Sequence, residues 1–111
     1  MPKYLALFSY SGDAKAAMID NPIDREAPVR AVLESVGASL ECLYWMFGAH
    51  DGVGIVDAPD SLTMAGISAA ISSTGTVSSE THELFTSEDI HTILETARNA
   101  RQHFTRPGAS S

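Results

Sequence analysis

Residues 39–57 constrain the fold more than any other stretch, because they predict two strands joined at residues 48–52, the first of them apolar on both faces. Successive side chains of a strand point to opposite sides. One side of the first strand would carry Leu40, Cys42, Tyr44 and Met46, and the other side Leu43, Trp45 and Phe47. Such a strand must be covered on both faces. A chain of 111 residues can cover one face with its own helices, so the second cover would come from another molecule.

Charge and cysteine content limit the partners and the compartment. The formal net charge is -7 and the pI is near 4.8, which argues against nucleic acid and membrane surfaces as partners, because both bind basic proteins. The single cysteine, Cys42, has no intramolecular disulfide partner, which favours a reducing compartment. No apolar run approaches the ~20 residues of a membrane span, and a signal-peptide pattern is missing, so the cytoplasm is the expected location. We expect Cys42 to be buried filler rather than a nucleophile, since Glu41 beside it disfavours a thiolate.

The hydrophobic periodicity predicts alternating strands and helices. Strands are predicted at residues 3–10, 39–47, 53–57 and 76–85, with the first one central and the polar last one either at an edge or lining a cavity. Helices are predicted at residues 13–20, 25–36, 61–71 and from 87 onward. Asn21 and Pro22 interrupt the first helical segment and predict a new helix start. Asp60 predicts the start of the third helix, and Thr86 with Asp89 predicts a capping box for the last.

The order β-α-β-β-α-β with a final helix predicts an α+β plait, whose helices cover one face of a four-stranded antiparallel sheet. Residues 1–105 would form a single domain and residues 106–111 a flexible tail. Gly54, inside the third strand, indicates a bulge or a close backbone approach. Covering ~600 Å² of the other, apolar face at ~25 cal/mol per Å² would contribute roughly 15 kcal/mol before association costs. A second copy is the expected cover, so we predict a homodimer or a higher oligomer.

Several segments carry a resemblance to a known family, namely residues 1–5 (MPKYL), 34–38 (ESVGA), 47–51 (FGAHD), 56–60 (VDAPD) and 75–77 (GTV). Together they resemble the GYD domain family, from the start of the chain to about Glu95. That family is similar to the dimeric α/β-barrel proteins, in which two ferredoxin-like subunits pack sheet against sheet. The resemblance implies this fold and this assembly, and it implies no established reaction. His50 stands where the Gly-Tyr-Asp motif of the family usually has its tyrosine, whereas Gly48 and Asp51 match the motif.

His50 and Asp51 are the candidate catalytic residues, because a histidine beside a carboxylate is suited to act as a general base near neutral pH. The alternative is a structural role in the turn at residues 48–52, and adjacent strand residues point to opposite faces, which weakens a direct pair. His82, in the polar fourth strand, would line a cavity or be a solvated edge residue. No clustered His or Cys spacing indicates a metal site and no cofactor motif is present, so neither a metal nor a cofactor is expected.

Aromatic side chains provide the candidate binding surface. Together with His82, the predicted ligand-binding residues are Phe8, Tyr10, Tyr44, Trp45 and Phe47. They would form the wall of a pocket for an apolar or aromatic molecule, or they would form the core and the dimer interface. Both interpretations hold if the packed sheets leave a gap.

Three functions from different classes are compatible with these features. The first is a small cytoplasmic homo-oligomer that binds a small apolar or aromatic ligand, between sheet and helices or at the dimer interface. The second, suggested by the wider barrel group that the chain resembles, is a cofactor-free isomerase or monooxygenase acting on an aromatic or polyketide-like compound, with His50 or His82 as general base. The third is a metabolite-sensing regulatory protein. If the protein is an enzyme, we expect a histidine directed into a closed apolar cavity. If it is a binding or structural protein, we expect exposed histidines and a fully packed sheet interface.

Overall fold

The computed structural model describes residues 1–109, which form four strands and four helices. The strands are β1 (Lys3–Tyr10), β2 (Ser39–Trp45), β3 (Gly52–Asp57) and β4 (Val77–Leu84). The helices are α1 (Gly12–Asp20), α2 (Glu26–Glu34), α3 (Ser61–Ser72) and α4 (Ser87–Arg101). The predicted α+β class is confirmed. The tail predicted at residues 106–111 ends outside the described residues, so it stays a prediction, as does the domain boundary at residue 105.

All four strands belong to one antiparallel sheet with the order β2-β3-β1-β4. β1 is therefore internal, as its two apolar faces predict, and β4 is an edge strand, as its polarity predicts. Each helical connection crosses one intervening strand, which is compatible with a ferredoxin-like plait. Tyr4 of β1 packs in the core with Leu33 of α2 and Met64 of α3. Leu5 and Leu7 point to the opposite side of the sheet, which we call the open face.

A β-bulge in β2 makes one prediction wrong. Leu40 pairs with Val56, whereas Cys42 pairs with the adjacent Ile55, so Glu41 is an extra residue without a partner. An extra residue of this kind reverses the alternation of side chains along the strand. Leu40 consequently faces the helices, where it is 7% exposed, and Cys42 lies on the open face. Cys42 is also half-buried rather than buried as predicted, because α2 and α3 cover the other face.

Side-chain caps confirm two of the predicted helix starts. The Asp60 carboxylate accepts a hydrogen bond from the Thr63 backbone N–H at 2.8 Å, at the start of α3. At the start of α4, Thr86 and Asp89 form the predicted capping box, with hydrogen bonds of 3.0 and 3.1 Å. These local patterns fix where both helices begin.

The predicted helix start at Asn21 and Pro22 is wrong, because α2 begins only at Glu26. Asn21 instead ends α1, where its backbone N–H donates to the Ala17 carbonyl. Asp24 then accepts a hydrogen bond from the Glu26 N–H at 2.9 Å. Residues 21–25 are therefore a connection between two helices.

The hydrophobic core lies between the sheet and helices α2 and α3. Its buried residues are Tyr4, Leu33, Ala38, Leu40, Val56, Ala58, Met64 and Ile67. Tyr4, Val56 and Leu40 lie side by side in three neighbouring strands, so the core is concentrated where β1 begins. Further along β1 the same layer is incompletely filled, and this is where the candidate site lies.

Helix α4 contributes nothing to this core. None of its 15 residues is buried. The molecule is accordingly elongated: its longest dimension is 62 Å and its radius of gyration is 18.3 Å. A compact domain of about 100 residues has a radius of gyration near 13 Å. The apolar side chains Ile90, Ile93 and Leu94 are 44%, 38% and 60% exposed. Neither α4 nor any other helix in residues 1–109 is long and apolar enough to cross a membrane.

Candidate functional site

A pocket of about 170 Å³ lies beside the core, between the sheet and helices α2 and α3. We call it the sheet–helix pocket. Its roof is formed by Val29 and Leu33 of α2 and by Ile67 and Ile71 of α3. Its floor is the side of the sheet that faces these helices. Since most lining residues are apolar, the pocket suits an apolar ligand.

The pocket exists because three neighbouring strands carry small side chains at the same level. Ala6 of β1 pairs with Gly54 of β3 on one side and with Thr81 of β4 on the other. Ala6 faces the helices from an internal strand, yet it is only half-buried. One row earlier, Tyr4 and Val56 fill the same layer. The decrease in side-chain volume from one row to the next leaves the hollow.

Aromatic rings close the far end of the pocket. Phe8 lies edge-on to both Tyr10 and Trp45, with ring centroids 5.8 and 5.7 Å apart. Tyr10 and Trp45 are stacked, with centroids 6.0 Å apart and 23° between the ring planes. Both geometries are favourable for aromatic pairs. Gly52 makes room for the Phe8 ring, because a Cβ atom at that position would overlap it.

The polar groups of the pocket are few and are mostly hydroxyls. They belong to Tyr10, Ser68, Ser79 and Thr81, with Arg25 as the cation. Ser68 Oγ and Thr81 Oγ1 lie 3.2 Å apart in a hydrogen bond that connects roof and floor. None of the described residues that line the pocket is His, Asp or Glu. The pocket can therefore hold and orient a ligand, but it lacks the side chains that usually serve as a general base.

His50 and Asp51 lie in the loop before β3, and their side chains contact different neighbours. Asp51 Oδ2 accepts a hydrogen bond from the Tyr10 backbone N–H at 2.8 Å, and Oδ1 lies 3.3 Å from Lys15 Nζ. His50 Nδ1 lies 3.3 Å from the hydroxyl of Ser9. Ser9 belongs to the open face, so His50 is turned toward that side of the sheet.

The ionised side chain of Asp51 attaches the loop to the end of β1. The hydrogen bond from the Tyr10 N–H, with a smaller contribution from the Lys15 ammonium, lowers the pKa of the Asp51 carboxyl below its usual value. A carboxylate held in this way is a weak proton acceptor near neutral pH. Its contacts join the loop, β1 and α1.

We expect Asp51→Ala to lower the melting temperature at pH 7, because the Tyr10 N–H would lose its acceptor. The pKa of Asp51 is lower in the folded protein. The stability that the Asp51 carboxylate contributes is therefore fully present above its pKa in the unfolded chain, about 3.9. It is lost as the pH falls through the lower pKa of the folded protein. The difference in melting temperature between wild type and Asp51→Ala should narrow below about pH 4.

Lys15→Ala is the control for this experiment, because it removes the ion pair and keeps the hydrogen bond to Tyr10. It should lower the melting temperature less than Asp51→Ala does. Equal melting temperatures of wild type and Asp51→Ala at pH 7 would contradict the structural role of Asp51.

The sequence pattern of the GYD domain matches residues 4–94, from β1 into α4. The chain belongs to the GYD domain family. The resemblance seen in the sequence is thereby confirmed, and the matched part of the chain includes the sheet–helix pocket and the loop with His50 and Asp51. No protein of curated function and no solved structure matches the chain.

In this GYD domain, the predicted ligand-binding residues separate onto the two faces of the sheet. Phe8 and Tyr10 line the sheet–helix pocket, and Trp45 packs against both rings. The structure thus brings three of the predicted aromatic residues together on the side that faces the helices. Their binding of a ligand stays a prediction.

The other predicted residues lie away from the pocket. Tyr44 is 67% exposed on the open face, where His82 also lies, 3.2 Å from Glu80. Phe47 is fully exposed, because β2 ends at Trp45, two residues before the predicted end. Within residues 1–109, no three His, Cys, Asp or Glu side chains lie close enough together to share a metal ion.

Ala6, Thr81 and Arg25 were not identified from the sequence as candidate site residues. An alanine or a threonine in a strand carries no signal of its own, and the strand register is needed to place both beside Gly54. Gly54 itself was informative as a small residue beside Ala6, although a Cβ atom there would lie 3.4 Å from the carbonyl oxygen of Cys42, an ordinary van der Waals distance. A search for small residues in the internal strands would have been the available guide to the pocket.

Proposed function

We propose that this GYD domain binds one small apolar or aromatic molecule in the sheet–helix pocket, and that it does so as a homo-oligomer. The main support for ligand binding is the row of small residues Gly54, Ala6 and Thr81, because it leaves a hollow above the middle of the sheet. Protein interiors are otherwise closely packed, and empty space in a core lowers stability. A ligand in this position would restore the missing contacts.

The volume of the pocket limits the size of the ligand. A cavity of about 150 Å³ with an apolar lining takes up benzene, and the sheet–helix pocket has about 170 Å³. One aromatic ring or a short branched chain therefore fits, and a larger ligand would extend out of the pocket. The rings of Phe8 and Tyr10 offer edge and face contacts to an aromatic ligand.

The placement of the histidines favours binding over catalysis. His50 contacts Ser9, and His82 pairs with Leu5, so both lie on the open face. Neither reaches a ligand in the sheet–helix pocket. A cofactor-free isomerase or monooxygenase is our second proposal, and its substrate would lie between the open faces of two subunits.

We expect Ala6→Leu to weaken ligand binding at least tenfold, a loss of about 1.4 kcal/mol or more, because the leucine side chain would occupy the hollow. The fold should tolerate this substitution. Filling a cavity commonly raises the free energy of unfolding by about 1 kcal/mol. Melting shifts with a panel of single-ring acids, amides and quinones would identify a ligand, and calorimetric titration would measure its Kd for both proteins.

Ala70→Leu is the matched control, since Ala70 is exposed on α3, and it should bind the ligand as the wild type does. An unchanged Kd in Ala6→Leu would mean that the ligand binds elsewhere. If no compound of the panel shifts the melting temperature, the proposed binding of a small aromatic molecule is wrong.

The open face supports the proposed homo-oligomer. Leu7 and Val53 form one apolar row across it, and Leu5 and Ile55 form the next, and all four are only half-buried in the single chain. Tyr44 extends this surface and is 67% exposed. A second copy related by a two-fold axis would cover both open faces at once.

Helix α4 supports oligomerisation independently. Its apolar side chains are exposed, and a helix of this length is marginally stable in water without packing contacts. Three of the 7 basic residues, and none of the 14 acidic ones, lie after Glu95, namely Arg98, Arg101 and Arg106. The positive charge at the C-terminal end of α4 and just beyond it favours contact with the acidic body of another subunit.

A further inference from the structure

We infer that the ligand of the sheet–helix pocket is a small aromatic or short-chain carboxylic acid whose carboxylate binds to Arg25. The inference rests on the proposed binding function and specifies the class of ligand. Arg25 lines the sheet–helix pocket and also an adjoining hollow beside α1, and Tyr10 and Val77 likewise line both. Arg25 therefore lies at the boundary of the pocket, where a charged group of a ligand can remain close to water.

Arg25 differs from the other basic residues that precede α4 in having no acidic partner among residues 1–109. The three other basic residues before α4 each form an ion pair with a carboxylate, namely Lys3, Lys15 and Arg30. Among residues 1–109, no carboxylate forms an ion pair with Arg25.

The two acidic neighbours of Arg25 are engaged elsewhere. The Asp24 carboxylate accepts the hydrogen bond from the Glu26 N–H at 2.9 Å. The Glu26 carboxylate contacts Arg30 Nε at 3.1 Å. Neither carboxylate forms an ion pair with the Arg25 guanidinium, so these two neighbours leave its positive charge without a partner.

The chemistry of this boundary matches an amphipathic acid. A guanidinium is charged at all physiological pH values, and its planar donors fit a carboxylate in two parallel hydrogen bonds. Arg25 also directly precedes α2, whose N-terminus adds a positive partial charge. The apolar lining would hold the ring or chain of the acid, and Arg25 would hold its carboxylate.

A pair of compounds of equal size tests the inference. Calorimetric titration would measure the Kd of phenylacetate and of phenylacetamide for wild type, Arg25→Gln, Arg25→Lys and Arg98→Gln. We expect wild type to bind the acid about tenfold more tightly than the amide, because the amide has one oxygen acceptor and therefore loses one of the two charge-assisted hydrogen bonds. Arg25→Gln should lose this preference and keep its affinity for the amide. Arg25→Lys should keep part of the preference, and Arg98→Gln, which removes the same charge from α4, should keep all of it.

The outcomes separate this inference from the proposed function. Equal binding of acid and amide by wild type would overturn the inference and leave the binding function in place. A preference for the acid that persists in Arg25→Gln would also overturn it, because another group would then recognise the charge. If neither compound binds to wild type at millimolar concentration, while other members of the single-ring panel do, the stated ligand class is wrong. If no member of the panel binds, the proposed function itself fails.

Discussion

Replacing Gly52 with alanine is expected to lower the free energy of unfolding by about 1–3 kcal/mol, the usual cost of forcing an extra methyl group against neighbouring atoms. A Cβ atom at this position would overlap the ring of Phe8, the residue of β1 that pairs with Gly52. Movement of the Phe8 ring toward the sheet–helix pocket would disturb its edge-on contacts with Tyr10 and Trp45. Either Phe8 or the strand must therefore shift. Urea denaturation of wild type and variant would measure the difference.

The same substitution at Gly66 is the control. Gly66 lies in the interior of α3, and a Cβ atom there would meet no other atom within 4 Å. Gly66→Ala is therefore expected to raise the free energy of unfolding by up to about 1 kcal/mol, the difference in helix propensity. Adding Phe8→Leu to Gly52→Ala should recover part of the lost stability, because the smaller side chain leaves room for the methyl group. A Gly52→Ala protein as stable as wild type would show that the aromatic cluster adjusts without cost.

Features that depend on one strand or on a few neighbouring residues could be predicted from the sequence. The alternation of Tyr4 with Leu5 and Leu7 places them on opposite faces of β1, and it requires no knowledge of the other strands. The start of α4 was predictable for the same reason, because Thr86 and Asp89 are three residues apart.

Features that depend on pairing between strands could not be predicted. The bulge at Glu41 arises from the pairing of β2 with β3, and it places Leu40 on the face opposite to Cys42, with which it was predicted to share a face. The hollow of the sheet–helix pocket has the same origin. Ala6, Gly54 and Thr81 are far apart in the sequence and become neighbours only through the register of β1 with β3 and β4.

The candidate site illustrates both cases. Phe8 and Tyr10 share a face of β1 by simple alternation, so their common location was predictable. His82 follows Thr81 directly in β4, and therefore the threonine lines the pocket while the histidine lies on the open face. Without the register, a sequence analysis has no means of assigning these two neighbours to different sites. We consequently propose a ligand pocket on the face that the helices cover and a subunit interface on the open face.

Leu7→Lys is expected to weaken self-association of the protein by ~100-fold or more. Leu7 lies near the middle of the open face, between Val53 and Glu80 in the neighbouring strands. In the proposed sheet-to-sheet dimer, the lysine ammonium would be buried among apolar side chains, at an expected cost of several kcal/mol. In the single subunit, the lysine would face Glu80 across the strands, a favourable pair of about 0.2–1 kcal/mol, so the fold should persist.

Sedimentation velocity over a range of protein concentrations would measure this effect, with circular dichroism to verify the fold. Leu62→Lys is the matched control, since Leu62 is 85% exposed on the outer side of α3, and it should associate as wild type does. A wild-type protein that remains monomeric at high concentration would remove the basis for the proposed interface. Ile93→Lys distinguishes the two candidate surfaces, because Ile93 belongs to α4. A dimer that survives Leu7→Lys but dissociates with Ile93→Lys would place the interface on α4, and the proposed pairing of the sheets would then be wrong.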